Sequence, residues 1–372
     1  MKHILFFITS FVGGGAEKAL IELLKVFDYS RFRVTVCLLY YEGEYLDSIP
    51  KEVNIIVLYP RRNSFYRKSF RYYRKYQNTL LFKFRLWQKL GKSYDVIISF
   101  LEGYPLVFHS LVADRALKNI TWVHCDLLNF HYTVPDAFKY EEAEREAYAK
   151  MDDIVFVSKN IMSNFEKMYQ LGNNHLCLYN LIDVNAIRMA GGKKDDLLRT
   201  GTVITAIGRL APVKGYDRLL RLAKRLKDEG YAFSVQIIGQ GEELDNLIDL
   251  SKRLNVQDEV VFMGFKSNPY PYLSNSDIYI STSLSEGLSL VICEALVLGL
   301  PVVATKTAGA LELLDNGEYG VLTEHTDDSI YEGITALLNN EDLRRAFSKK
   351  SLERAEMFNM AQTMDTIYQL VL

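Results

Sequence analysis

The sequence predicts an α/β protein of two doubly wound, parallel-sheet, Rossmann-like domains in succession, each with helices on both faces. Three observations carry this prediction. Short continuous apolar runs alternate with amphipathic helical patterns, which is how strands buried on both faces read. The alternation occurs twice, over residues 3–157 and again over 203–304. Between the two series lies Ala190-Gly191-Gly192-Lys193-Lys194-Asp195-Asp196, small, polar and without periodicity.

Taken in order, strands are expected at residues 3–9, 33–40, 54–58, 96–100, 119–123 and 154–157. The second series places them at 203–207, 234–238, 260–263, 278–282 and 301–304. The expected domains are 1–183 and 201–356, joined by a linker over 184–200. A length of 372 residues leaves room for a substantial core in each. Residues 357–372 set Met360, Met364, Ile367, Leu370 and Val371 on one helical stripe, so the chain is expected to end in a helix. In sheets of this kind ligands bind at the carboxyl ends of the strands, so a cleft between the domains is the expected site.

Composition narrows the function. Hydrophobic residues are 49% and charged residues 24%, as in a soluble globular protein. The net charge of −2 gives no global preference for nucleic acid. The four cysteines are scattered without a CxxC pair, which points to a reducing compartment and away from zinc. The six histidines show no HExxH spacing. No metal and no cofactor is expected. The apolar run at residues 4–8 is too short to cross a membrane and carries no cleavage site of signal type. A cytoplasmic location is therefore expected.

The most informative motif is Ser285-Glu286-Gly287-Leu288-Ser289-Leu290-Val291-Ile292-Cys293-Glu294, with its two glutamates eight positions apart. It follows an expected strand, which puts Glu286 on the turn and Glu294 about two turns into the next helix. Backbone N–H groups of that new helix cannot pair internally and attract phosphate, while the flanking carboxylates can accept from sugar hydroxyls. Three other segments sit where binding loops belong. Gly208-Arg209-Leu210-Ala211-Pro212-Val213-Lys214-Gly215 offers a guanidinium fork and a compact ammonium, a pair suited to pyrophosphate. Trp122-Val123-His124-Cys125-Asp126 places a histidine at a strand end, either to contact a sugar or to satisfy the core. Gly13-Gly14-Gly15-Ala16-Glu17 reads as a flexible turn or as a close backbone approach to a ligand. It is not GxGxxG, and no ribose-binding carboxylate follows the second strand, so a nicotinamide site is poorly supported.

Together these segments resemble the signature of retaining glycosyltransferases of the GT-B fold, the group called family 4. The resemblance rests on Gly208-Arg209-Leu210, Lys214-Gly215 and the Glu286 to Glu294 spacing. Gly13-Gly14-Gly15-Ala16-Glu17, His124, Asn180-Leu181-Ile182-Asp183 and Ala308-Gly309-Ala310-Leu311-Glu312 match in order, from about residue 4 to 330. It implies transfer from a nucleotide-diphosphate sugar, with uridine the expected base on family grounds. It also implies roles: Arg209 and Lys214 neutralise the diphosphate, and backbone amides near Leu288, Ser289 and Leu290 bind phosphate. Glu294 accepts from ribose hydroxyls and Glu286 from the donor sugar. His124 contacts the transferred sugar, making Glu286 and His124 the candidate catalytic residues, and Gly14 and Gly15 line the cleft. The final helix is one that members often return to the first domain. Two departures stand out, Ser289 where many members carry proline and Ala308 where many carry glycine. A nucleotide-sugar epimerase, a glycogen-type synthase or a non-catalytic sugar-binding subunit would share this fold.

From residue 53 to 94 there is no acidic residue but eleven Lys or Arg, interleaved with aromatics. Arg67, Lys68, Arg71, Arg74 and Lys75 head this insert, spanning about residues 60–92. Such a segment suits the anionic face of a bilayer, and equally a helix packed on the first domain with its cations solvated. Cations and rings also suit single-stranded nucleic acid, but the membrane is the expected partner and nucleic acid is not. With the first domain receiving the acceptor, as the resemblance implies, a lipid-linked saccharide would explain the insert. The expected location is then peripheral, on the inner face of the cell membrane.

Overall fold

Ile4, Leu5, Phe6, Phe7 and Ile8 are all fully buried, an uninterrupted apolar run that only a central strand covered on both faces accommodates. The computed structural model describes residues 1–60, 63–192 and 201–372, which form two units: Met1–Leu181 with Ala361–Leu372, and Ile182–Met360. In the first unit the strands are β1 (Lys2–Ile8), β2 (Phe32–Leu38), β3 (Asn54–Val57), β4 (Tyr94–Ser99), β5 (Ala116–Val123), β6 (Asp153–Phe156) and β7 (Asn174–Cys177). They pair in parallel in the order β3-β2-β1-β4-β5-β6-β7. Phe6 is opposite Val36 on one edge of β1 and Ile98 on the other. Helices α1 (Gly15–Val26), α2 (Ser64–Tyr76), α3 (Leu80–Lys89), α4 (Tyr104–Ser110), α5 (Thr133–Asp136), α6 (Glu141–Tyr148) and α7 (Lys159–Met168) connect them.

The second unit opens with α8 (Val184–Gly191). Its strands are β8 (Thr202–Ile207), β9 (Phe233–Ile238), β10 (Val260–Gly264), β11 (Ile278–Ser281), β12 (Val302–Thr305) and β13 (Val321–Thr323). They too are parallel, in the order β10-β9-β8-β11-β12-β13. The helices are α9 (Tyr216–Asp228), α10 (Leu244–Arg253), α11 (Tyr270–Ser274), α12 (Leu290–Val297), α13 (Ala308–Leu313), α14 (Asp327–Leu338) and α15 (Glu341–Arg354). A further helix, α16 (Met360–Val371), closes the chain. The α9 stripe Leu219, Leu220, Leu222, Ala223 and Leu226 packs into a core with Ile204, Val235, Ile237, Ile280 and Ile334.

Each strand expected from the sequence is present, with ends shifted by up to three residues. Two strands had no sequence signal, β7 and β13. Both are edge strands, paired on one side only, and their short segments lack a continuous apolar run. The expected linker over 184–200 differs more. Residues 184–191 are helical: the Asp183 side chain caps α8 by accepting from Ala186 N–H at 2.9 Å, and Ile187 is buried. Gly191 reads as a flexible joint but is a contact. A Cβ there would lie 2.3 Å from Ser274 Oγ of α11, so the missing side chain lets α8 and α11 approach. Residues 193–200 lie outside the described residues.

Helix α16 belongs to the first unit, where Met364, Ile367, Leu370 and Val371 are buried. The Tyr368 ring stacks on Phe32 with centroids 5.6 Å apart and planes 3° apart. Its hydroxyl accepts from Asp28 N–H at 2.9 Å, and Lys118 Nζ donates to the Leu370 carbonyl at 2.8 Å. Ile367→Ala should destabilise this unit by about 2–4 kcal/mol through the cavity it leaves. A urea midpoint equal to that of the wild type would show that α16 adds nothing to the core.

Candidate functional site

In the second unit β8 lies between β9 and β11, so the loops leaving β8 and β11 turn to opposite sides and open a crevice at their carboxyl ends. Of the residues singled out in the sequence, Lys214 and Glu286 meet there. The 208–215 loop is held on both flanks. Gly208 N–H donates to Ile238 O at 3.0 Å and Leu210 N–H to Gln240 O at 2.9 Å. The contact needs glycine at 239, where φ is +147° and a Cβ would sit 1.9 Å from Gly208 O. On the other flank Leu284 N–H donates to Val213 O at 2.7 Å, and Thr282 Oγ1 lies 3.0 Å from the Lys214 and Gly215 carbonyl oxygens. Gly215 has φ +64°, and a Cβ there would meet Thr282 O at 2.4 Å.

This clamp aims Lys214 across the crevice. Its Nζ forms an ion pair with Glu286 Oε1, which also accepts from Ser283 Oγ at 2.8 Å. The two side chains retain 24% and 14% of their surface, so the pair is desolvated but reachable. At an effective dielectric near 20 such a contact is worth about 4 kcal/mol before desolvation is subtracted. Glu286 is fixed from behind, its carbonyl accepting from Gly309 N–H at 3.2 Å. A Cβ on Gly309 would lie 2.4 Å from Gly287 O. The close approach therefore requires glycine at 309, not at 308, and the alanine there is no obstacle to it. Ser289 caps α12, its side chain accepting from Ile292 N–H at 3.4 Å, and Leu288 and Leu290 are buried beside it.

Arg209 and Glu294 stand apart from that pair. The Arg209 guanidinium is half exposed and pairs with Glu242, Nη2 at 3.0 Å and Nε at 3.3 Å. Glu294 is 2% exposed, with Tyr270 OH 3.5 Å from its Oε1. Glu242 and Tyr270 were not found by sequence reasoning, because the sheet order brings each in from another part of the chain; Ser283, three residues before Glu286 on the same loop, was readable but passed over.

In the first unit the corresponding crevice lies where β1 is flanked by β2 and β4. Gly14 precedes α1, and a Cβ on it would meet Glu17 Oε2 at 2.2 Å, whereas Gly15 has no neighbour within 4 Å. His124 follows β5, buried against Phe100 with ring centroids 5.1 Å apart. Burial lowers its pKa to about 4, against the opposing pull of Glu102 and the Phe100 backbone. The imidazole is thus neutral near pH 7, able to serve a hydroxyl but not to supply a cation. Its backbone N–H donates to Glu102 Oε2 at 2.9 Å, and Tyr132 OH donates to Glu102 Oε1 at 2.8 Å. Glu102 leaves the end of β4, the same signal that marked His124, yet the sequence reading passed over it.

The basic insert forms α2 and α3. Phe70, Tyr73, Phe82 and Leu86 turn inward, with Tyr73 OH donating to Ala137 O at 2.7 Å. Arg67, Lys68, Arg71 and Lys75 are exposed, together with Tyr72, Tyr76, Leu80, Phe84 and Trp87. Arg74 differs, since it donates to Tyr104 OH at 3.2 Å and pairs with Asp136 at 3.0 Å, within its own unit. Arg61 and Arg62 lie outside the described residues. Among the described residues no group of three or more His, Cys, Asp or Glu could hold a metal ion, and no helix is long and apolar enough to cross a membrane.

Residues 193–354 match the family model described as glycosyl transferases group 1. A relative from Campylobacter jejuni, N-acetylgalactosamine-N,N'-diacetylbacillosaminyl-diphospho-undecaprenol 4-alpha-N-acetylgalactosaminyltransferase, is 32% identical over 217 residues, 57% of this chain and 58% of its own length. The capsular polysaccharide biosynthesis glycosyltransferase CapM of Staphylococcus aureus is 31% identical over 52% of this chain and 47% of its own. The chain thus spans about half the length of these two relatives. Among solved structures, a mutant of S. aureus TarM in complex with fondaparinux, alpha-GlcNAc-glycerol and UDP superposes over 100% of both chains, with a TM-score of 0.77 at 15% identity. The fold is GT-B, two parallel-sheet Rossmann-like units.

Because His124 is charged less readily folded than unfolded, its contribution to stability is present in full above pH 6.5 and is lost as the pH falls towards 4. His109, also buried with a pKa lowered to about 4, acts in the same direction. Urea unfolding of the wild type should weaken across that window, and His124→Asn should flatten the slope. An unchanged slope would show that the His124 imidazole is not held uncharged by burial.

Proposed function

We propose that this chain, group 1 glycosyltransferase sequence on a GT-B fold, is a retaining glycosyltransferase of family 4 type. It moves a sugar from a nucleotide diphosphate, with uridine the expected base, to a saccharide or lipid-linked acceptor in surface polysaccharide or glycolipid synthesis. The observation that carries this reading is the Lys214–Glu286–Ser283 constellation at the β8/β11 crevice, with the N-terminus of α12 behind it. UDP in the TarM complex supports the base, and the diphospho-undecaprenol in the Campylobacter relative's name supports the acceptor class.

In this reading Lys214 and Arg209 stabilise the diphosphate as negative charge grows on it, with the α12 dipole adding to them. These two cations and the dipole meet the leaving group's charge without a metal. Glu286, already oriented by Lys214 and Ser283, accepts from hydroxyls of the donor sugar. Glu294 accepts from the ribose and exchanges its Tyr270 contact for it. Attack occurs on the face the phosphate leaves: the acceptor oxygen bonds to the anomeric carbon, the carbon–phosphate oxygen bond breaks, and the departing phosphate takes the acceptor proton. In the first unit His124 serves the transferred sugar, while Gly14 and Gly15 leave room for ligand to approach the β1 end. Lys214→Ala should lower transfer by about 100-fold or more. Near-normal turnover in that variant would remove the diphosphate role.

The exposed face of α2 and α3 supports peripheral binding to an anionic membrane, the setting of a lipid-linked acceptor. Cations there surround exposed Tyr76, Phe84 and Trp87, rings suited to the headgroup region. At about 1 kcal/mol per cation near an anionic surface, replacing Arg67, Lys68, Arg71 and Lys75 with glutamine should weaken vesicle binding by on the order of 100- to 1,000-fold. Unchanged sedimentation with anionic vesicles would leave these side chains as a solvated helix face.

A further inference from the structure

Glu102 is 1% exposed, and both its oxygens are committed. Oε2 accepts from the His124 backbone N–H at 2.9 Å, while Oε1 accepts from Tyr132 OH at 2.8 Å. Placing a carboxylate in such an enclosure is costly, and the two donors offset that cost. The His124 ring, beside it at the end of β5, has no partner for Nε2 among the described residues. A buried imidazole nitrogen left open is itself costly, and it marks where a ligand hydroxyl would be received.

The support behind Glu102 is rigid. Tyr132 is followed by Thr133, whose carbonyl accepts from Ala137 N–H at 2.8 Å and Phe138 N–H at 2.9 Å. Thr133 Oγ1 donates to the buried Glu144 carboxylate at 3.1 Å. The segment is held on its other side by Tyr104 OH, which donates to Asp136 O at 2.9 Å, and by Tyr73 OH on Ala137 O. The Tyr132 hydroxyl therefore has little freedom, and through Glu102 neither has the backbone that carries His124.

We infer that Glu102 is a positioning residue for the transfer reaction, holding the end of β5 so that the open nitrogen of His124 meets a hydroxyl of the transferred sugar, with Tyr132 fixing Glu102 in turn. This rests on the proposed glycosyltransferase reading. It assigns Glu102 and Tyr132 to that chemistry, although neither touches the sugar. The geometry is what matters, because glutamine at 102 keeps both contacts. Its carbonyl would accept from His124 N–H and its amide would donate to the Tyr132 oxygen. Alanine keeps neither.

The test compares Glu102→Ala, Glu102→Gln, Tyr132→Phe, His124→Ala and the Glu102→Ala/His124→Ala double variant, with nucleoside diphosphate binding measured by calorimetry alongside transfer. Loss of hydrogen bonds to a charged group predicts that Glu102→Ala lowers kcat roughly 10- to 100-fold, with nucleotide affinity unchanged. Glu102→Gln should stay within about 3-fold of the wild type, and Tyr132→Phe should fall between the two. In the His124→Ala background, removing Glu102 should cost no more than about 2-fold, because it acts through a group no longer present. Additive losses, or a wild-type kcat in Glu102→Ala, would overturn the inference. If Glu102→Ala does not fold, a Tyr132→Phe enzyme with unchanged kcat overturns it instead. A wild-type protein that binds no nucleoside diphosphate and transfers no sugar would refute the glycosyltransferase reading. The positioning claim is then read from the His124 ring signal in NMR, identified by its loss in His124→Ala. It should move in Glu102→Ala and hold in Glu102→Gln, and a signal unmoved in both would overturn the claim.

Discussion

The chemistry of the second unit depends on β8 being paired on both edges, to β9 and to β11. Their connections leave the sheet on opposite faces, which opens a crevice at the carboxyl ends without any special sequence to carve it. Arg209 and Lys214 follow one strand; Ser283 and Glu286 follow the other. The lysine and the glutamate are 72 positions apart in sequence and form an ion pair because those strands are neighbours. Glycines 215, 239 and 309 then do one job at three positions, bringing backbone against backbone where a Cβ could not fit.

The first unit meets the same topological condition with different chemistry. The contacts described at its crevice are of another kind. A buried carboxylate, Glu102, is held between a main-chain N–H and a tyrosine hydroxyl, next to a histidine kept neutral by burial. The second unit thus presents a partly exposed ion pair, and the first a buried carboxylate beside a neutral imidazole.

The α2–α3 insert packs one stripe on its own unit and leaves a cationic stripe exposed. A membrane-facing helix and a helix packed on its own domain were alternatives in the sequence, and α2 packs through Phe70 and Tyr73 while exposing Arg67, Lys68, Arg71 and Lys75. A 3.6-residue period permits both, because inward and outward stripes are independent of one another. Arg74 is exposed with the others and in addition reaches Tyr104 and Asp136.

The sequence by itself determined the two parallel sheets and the placing of eleven strands, and it singled out the short segments of the candidate site. Those features depend on local periodicity and on which residue types follow a buried strand, and both are readable along the chain. It did not determine the edge strands β7 and β13, the docking of α8, or the partners Glu242, Tyr270, Glu102 and Tyr132. An edge strand needs no continuous apolar run, and a glycine that joins helices looks in sequence like one that loosens a loop. Hydrogen-bond partners from separate loops are set by strand order, so only the tertiary structure decided which carboxylate meets Lys214 and which one holds His124.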